Sequence, residues 1–351
     1  MKRFLLLFLL LPTLLSAHDR HKGKDSLHIY KGIDTTYIED YKHMLTGKLI
    51  AVVRTNRFDV KDNVSQSSLG YSINTNLNLG LGLSYRGIGF EFQFNPHGLN
   101  NDDYVYGKST QFSFATSANG RKFIYDVYYR YTQGYHTTGQ YKVPVDTGFT
   151  FQYLYRADIQ NTDLGGELVY VFNNKRFSSS APYNLSQKQK KSAGSLLLGT
   201  FGSLYTIDAD SSIFPDSVKP HFKDEIQFRS AGSITWGISC GYTYTLLFGR
   251  KKNWFANLYT LPGLAVQQYY STSPNGKETH AKTSVGGSLA GRISMGYNRR
   301  NYFIGISWTA MTYFVDGNKL AGLSYKNGCF RFYYGHRFVI KRFQNKKFFF
   351  E

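Results

Sequence analysis

Residues 77–94, LNLGLGLSYRGIGFEFQF, alternate apolar and polar positions twice over. Leu77, Leu79, Leu81, Leu83 and Tyr85 hold the odd positions. After Arg86-Gly87 the apolar set moves to Ile88, Phe90, Phe92 and Phe94. Successive strand side chains point to opposite faces, so a period of two denotes extended chain with one apolar face. A one-residue shift would otherwise exchange the faces, so the slip marks a tight turn between two antiparallel strands.

The pattern recurs along the chain. In 226–248, Ile234, Trp236, Ile238, Cys240, Tyr242 and Tyr244 share a face opposite small residues and Gly. In 281–297, Val285, Leu289, Ile293, Met295 and Tyr297 stand opposite Lys282, Ser284, Gly286, Ser288, Arg292 and Ser294. Such combs are long: about 9–11 tilted residues cross a bilayer, whereas strands of soluble domains usually run about 5–6. The rule predicts fourteen strands: 47–55, 69–86, 88–95, 109–117, 121–133, 148–157, 163–173, 177–185, 193–206, 226–248, 254–269, 281–298, 301–314 and 328–340. The weakest is 177–185, where Pro182 intrudes, and dropping two weak strands leaves twelve.

The connections then sort by end. Tight links fall at 86–87, 118–120, 158–162, 186–192, 249–253 and 299–300. Longer ones fall at 56–68, 96–108, 134–147, 207–225, 270–280 and 315–327. Short inner turns and long outer loops are the pattern of outer-membrane barrels; the link at 174–176 breaks it. The expected fold is all-β: an antiparallel transmembrane β-barrel of about 14 strands, with 12 as the alternative. The rival is a soluble secreted β-sandwich, whose sheets also carry one apolar face. No later segment is a continuous apolar run of helix-spanning length, and strand alternation hides barrels from hydropathy averaging.

Composition strengthens the membrane reading. Aromatics make up 17% of the 351 residues, with 29 Tyr and 28 Phe against 8 Pro. Tyr favours places with one apolar and one wet side, such as a membrane interface. The chain opens MKRFLLLFLLLPTLLSA: a basic start, an apolar run and a small-residue cleavage site, the form of an export signal. The expected organisation is a signal peptide at 1–17, a periplasmic tail or plug at 18–46, a barrel at 47–340 and a basic, aromatic tail at 341–351. Within 18–46, DTTYIEDYKHML at 34–45 could form a short helix. The expected location is the outer membrane of a Gram-negative cell. Cys240 and Cys329 fall on opposite strand faces, which argues against their pairing.

The charge is +19, with 42 Lys and Arg against 23 Asp and Glu. Nucleic acid fits poorly as a partner, since the chain is exported and carries no nucleic-acid motif. The tight turns hold much of the excess, in Arg86, Arg121, Lys122, Lys188, Lys190, Lys191, Arg250, Lys251, Lys252, Arg299 and Arg300 against Asp158. Anionic lipid head groups or plain solvation both suit such turns. Other charges alternate with apolar residues and so face the expected lumen: Asp126, Arg130, Arg156, Glu167, Arg292, Arg331 and Arg337, with Glu91 as a further acid. They would either line a pore or form a salt-bridged network that fills a small barrel. If they line a pore, conductance should favour anions. If the lumen is wet, Arg at Thr243 should cost far less than Arg at Ile238.

Catalytic motifs are missing: no G-x-S-x-G elbow, H-E-x-x-H or P-loop occurs. His97, His136, His221 and His280 fall in expected loops, and His18, His21 and His28 near the new N-terminus. None has the spacing of a metal or catalytic site, so no cofactor, no metal and no enzyme activity are expected. The stretches DTTYIEDY at 34–41, KRFSSSAPYNLSQKQKKSAGSLLLG at 175–199 and CGYTYTLLF at 240–248 resemble a Bacteroidetes family called domain of unknown function 4421. The resemblance spans nearly all of the mature chain. It implies an exported outer-membrane β protein and supplies no site residues. The functions that follow are a small channel or transporter for small solutes or lipids, a non-conducting barrel with a surface-binding or assembly role, or an outer-membrane hydrolase. Expected partners are outer-membrane lipid and a small solute or lipid ligand; the sequence does not fix an oligomeric state.

Overall fold

The Arg86-Gly87 slip is a turn. Both residues have positive φ, 52° and 88°, as the mirror-image turn that matches strand twist requires. Gly87 takes that conformation without a Cβ clash. Tyr85 then pairs with Ile88 and Leu83 with Phe90, so both combs present their apolar teeth to one side.

The structure is a computed structural model describing residues 29–30, 32–62, 64–74, 77–96, 102–145, 148–314 and 321–339. Its main strands are β1 (Leu45–Asp62), β2 (Ser68–Ser72), β3 (Leu77–Tyr85), β4 (Ile88–Phe94), β5 (Thr110–Asn119), β6 (Phe123–Val145) and β7 (Gly148–Val171). They continue as β8 (Ala193–Asp208), β9 (Ser230–Phe248), β10 (Trp254–Thr272), β11 (Glu278–Asn298), β12 (Tyr302–Phe314) and β13 (Ala321–Phe338). A four-residue helix, α1 (Asp103–Tyr106), sits between β4 and β5.

All thirteen belong to one antiparallel sheet that closes on itself. Neighbours in sequence pair from β3 to β13. β13 then pairs with β1 from Phe338↔Leu45 to Ala321↔Asp62, and β1 pairs with β3. The closed ring has twelve strands; β2 is a short thirteenth that bridges β1 directly to β6 above β3–β5. Closure into one sheet excludes a sandwich, which needs two.

The faces separate cleanly. Leu81, Trp236, Ile238 and Ile293 are 50–61% exposed on the outside, while Asn78 and Thr243 are 1% exposed inside. The outer apolar set runs round the ring, including Leu49, Phe92, Leu198, Leu258 and Phe332. A continuous apolar belt of this kind needs lipid. At the tight-turn end Phe248, Trp254, Tyr297 and Tyr302 form a ladder with ring centroids 5.1–6.3 Å apart, the position of an interfacial aromatic girdle. Cys240 is exposed outward and Cys329 buried inward, both as free thiols.

Fourteen expected strands become twelve for two reasons. Residues 148–157 and 163–173 are halves of one strand, β7, and the expected turn at 158–162 is an irregularity in its pairing with β6. Residues 177–185 form no strand: Phe177, Ala181 and Leu185 are buried with the Ser178–Ser180 run instead of facing lipid. Further boundaries move. The expected loop at 134–147 is mostly hairpin, since β6 and β7 pair as far as Val145 and Gly148. β1 extends to Asp62, and the comb at 69–86 is interrupted between Ser72 and Leu77. DTTYIEDYKHML is not helical; Ile38–Asp40 pairs antiparallel with Gln187–Gln189. Residues 1–28 with the three early histidines, His97, and 340–351 lie outside the described residues, as does the His280 side chain.

Candidate functional site in the barrel lumen

The lumen is built from the inward positions of every strand, and its contents lie in layers. At the tight-turn mouth, residues 173–192 between β7 and β8 fold into the barrel. Ser178 Oγ donates to Gln187 Oε1 at 2.6 Å, and Gln189 Nε2 donates to the Arg176 carbonyl at 2.6 Å, bracing the segment internally. Tyr183 Oη donates to Asn257 Oδ1 of β10 at 2.5 Å; Ser117 Oγ of β5 donates to Asn184 Oδ1 at 2.8 Å; Asn298 Nδ2 of β11 donates to the Gln187 carbonyl at 3.1 Å. β5 lies across the ring from the neighbouring β10 and β11, so the segment spans the mouth. The N-terminal residues 33–44 lie beneath it through the Ile38–Asp40 pairing.

Arg337 on β13 clamps this plug. It is 2% exposed and donates to the Leu185 carbonyl, to the Arg299 and Arg300 carbonyls at 2.5 and 3.1 Å, and to Asn298 Oδ1 at 2.9 Å. Its guanidinium also lies 4.5 Å from the Tyr41 ring centre and 4.9 Å from that of Phe303. Outside the strands, burial lowers the Lys42 ammonium below its ordinary pKa, where it donates to the Asn119 carbonyl at 3.0 Å. Burial raises the Tyr41 hydroxyl.

Above the plug lies a layer of ion pairs. Arg292 on β11 donates to Asp126 at 2.8 Å and to Glu167, and stands 4.9 and 5.5 Å from the rings of Tyr259 and Tyr183. Asp126 and Glu167 are register partners on β6 and β7, so their two like charges need the shared cation. Glu91 on β4 accepts from Lys48 at 2.8 Å and Arg331 at 3.4 Å. Higher still, Arg130 pairs with Asp163 at 2.9 Å, and Arg54 donates to Gln93 Oε1 and Ser113 Oγ at 2.5 and 2.9 Å.

The other mouth is closed by an apolar cap. Residues 209–229 turn inward, placing Ile213, Phe214, Val218, Phe222, Ile226 and Phe228 against Phe58, Val60, Tyr71, Tyr135, Ile159 and Tyr205 of the wall. Tyr71 Oη donates to the Ile213 carbonyl at 2.5 Å. Arg156 is at this mouth, not in mid-lumen: it pairs with Asp158 at 2.7 Å and donates to the Ser212 carbonyl at 2.8 Å.

Seven charged residues, with Glu91 as an eighth, were expected inside. Asp126, Glu167 and Arg292 meet; Arg130, Arg331 and Glu91 find partners elsewhere in the lumen; Arg156 and Arg337 hold the cap and the plug. Arg331 and Arg337 are not paired with Asp126 or Glu167. Sequence reasoning missed Lys48 and Arg54, which alternate with Leu49 and Val53 on β1, and Asp163, two positions in phase from Gly165 and Glu167. All three already lie at inward positions of the expected strands 47–55 and 163–173, so the alternation rule reaches them without further information. It could not place Tyr183, Asn257 or Tyr259 beside a plug. Among the described residues no cluster of His, Cys, Asp and Glu could hold a metal. His136 is buried, its Nδ1 2.9 Å from the Thr137 carbonyl, with the rings of Tyr106 and Tyr153 at 4.8 and 5.7 Å. His221 is exposed on the cap.

The model of the domain of unknown function DUF4421 matches residues 32–338, from the plug-forming N-terminal segment to the end of β13. The chain belongs to the DUF4421 family. No curated protein matches it. Among solved structures, this DUF4421 chain is similar to the β domain of the Bordetella autotransporter BrkA, at 9% identity and TM-score 0.39, over 84% of this chain and 99% of that one. It is also similar to the outer membrane protease OmpT from Escherichia coli, at 10% identity and TM-score 0.36, over 84% and 97%. For the P. putida toluene transporter TodX the figures are 8%, 0.27, 90% and 100%. The fold of this DUF4421 chain rests on its own closed ring of strand pairs.

Proposed function

We propose that this DUF4421 chain is an outer-membrane barrel that does not conduct, and that its work is done at its long-loop surface. The observation carrying this reading is the filling of the lumen: a plug at one mouth, ion pairs in the middle and an apolar cap at the other. The export-type N-terminus and the apolar belt support the outer membrane as its site. The ion pairs neutralise nearly all inward charge, which removes the basis for an anion-selective lining. The surface is also built out beyond the wall. Gln140–Val145 and Gly148–Tyr153 form a ribbon, with Phe151 and Tyr155 exposed at 66% and 41%. Exposed aromatics of this kind suit contact with a partner.

Planar-bilayer recording on the purified, heat-modifiable protein tests the reading. The intact chain should be silent. Replacing residues 177–189 by a short Gly-Ser turn should leave the barrel silent, because the mid-lumen ion pairs and the cap still fill it. Steady single-channel conductance from the intact chain would overturn the proposal and restore the channel.

A further inference from the structure

One mid-lumen cation has no carboxylate of its own. Along the described inner wall the mid-lumen cations are Lys48, Arg54, Arg130, Arg292 and Arg331, and the acids are Glu91, Asp126, Asp163 and Glu167. Every acid is bonded to a cation other than Arg54. Glu91 and Asp163 lie near Arg54 but are held by Lys48 with Arg331 and by Arg130. Arg54 is 7% exposed, and its ionic charge is met only by the neutral Gln93 and Ser113. Its Nη1 is buried without a hydrogen-bond partner among the described residues. A buried cation with an unused donor is costly unless an anion or dipole meets it.

That guanidinium lines a cavity of about 10 Å³, shared with Asn56, Asn78, Gln93, Gln111 and Arg130, the size class that holds one water or an ion of similar radius. A second donor is present. Asn78 Nδ2 donates to Gln111 Oε1 at 3.3 Å, leaving Gln111 Nε2 and Asn78 Oδ1 unpaired. Turning both amides over keeps that bond and frees Asn78 Nδ2 instead. In either arrangement one buried amide N–H remains for a ligand beside Arg54 Nη1. Asn56 Oδ1 is a further unpaired acceptor, its Nδ2 being held by Asn161 Oδ1 at 3.4 Å and Thr132 Oγ1 at 3.5 Å.

We propose that this cavity binds a small monovalent anion of halide size, held by Arg54 Nη1 and the free amide of the Asn78–Gln111 pair. The anion gives Arg54 the counter-charge that it lacks and cross-links β1, β3 and β5. The inference does not depend on whether the barrel conducts.

Bromide is the probe. Crystals of the full barrel soaked in bromide should show an anomalous peak within hydrogen-bond distance of Arg54 Nη1. In detergent, the unfolding midpoint should be higher in bromide or chloride than in the same concentration of gluconate, which is too large to enter. Gln111→Glu supplies a built-in carboxylate to Arg54. It should fold, abolish the bromide peak and lose the difference between halide and gluconate. Arg54→Met should lose the same difference. A water at the position with no anomalous signal overturns the proposal. So does a halide effect that persists undiminished in Gln111→Glu, or a peak in crystals with no halide effect in solution, which is binding at crystal concentration only.

Discussion

Arg292 and Arg331 look alike in the sequence: each is an inward Arg followed by an outward apolar residue, Ile293 and Phe332. Their partners differ, and so should their substitutions. Arg292 is the cation shared by Asp126 and Glu167. Arg292→Leu should cost about 3–5 kcal/mol, because two facing carboxylates lose their counter-charge. Arg331→Gln should cost roughly 1 kcal/mol, because Glu91 keeps Lys48 at 2.8 Å. Urea unfolding in lipid vesicles would rank them; equal losses would contradict the pairing described. Two other positions change their meaning. Ile238 is 61% exposed to lipid, and Arg there should cost about 2–4 kcal/mol if it lies near the midplane. Thr243 is 1% exposed, and its hydroxyl donates to the Leu258 carbonyl at 3.0 Å. It faces packed side chains, so Arg there should be no cheaper than at Ile238. The same unfolding assay on both variants checks this.

At the scale of elements, alternation made most of the wall legible. Strand phase assigned Leu81, Trp236 and Ile293 to the outside, and Asn78 and Arg292 to the inside, before any strand was paired. It failed where a second surface imposed its own pattern. The two-residue spacing of Phe177, Ala181 and Leu185 has no counterpart in the structure, where 177–182 are buried at odd and even positions alike. The β7 strand looked like two because its irregularity between Arg156 and Gln160 shifts the phase, as a turn would. The two errors cancelled in sidedness for the connections after Ala193, whereas 158–162 lies inside β7 and the tight-turn end carries the long segment 172–192. The cap at 209–229 was read only as a long loop, since its Ile213, Phe214 and Phe222 have no strand or helix period. These residues now carry a prediction. Phe214 is 1% exposed in the cap cluster, and Phe214→Ala should cost about 3–5 kcal/mol locally. Protease cleavage within 209–229 should accelerate while the barrel stays resistant. Unchanged cleavage would mean that the cap is held by something else.

For the whole molecule, the closed ring predicts behaviour that no single strand shows. The protein should enter detergent extracts of membrane and run faster on SDS gels unheated than boiled, since a sheet without edges resists SDS. Recovery as a detergent-free soluble monomer would contradict the barrel. The ring closes between β13 and β1, joining residues as distant as Leu45 and Phe338. Contacts of such sequence separation are slow to form, because the intervening chain must give up its freedom first. Arg337, which grips the Leu185 carbonyl, is carried on that closing strand. Seam and contents are therefore coupled: the strand that completes the ring also carries the side chain that grips the plug. Opening the wall between β1 and β13 removes that grip as well, so container and filling come loose at one place.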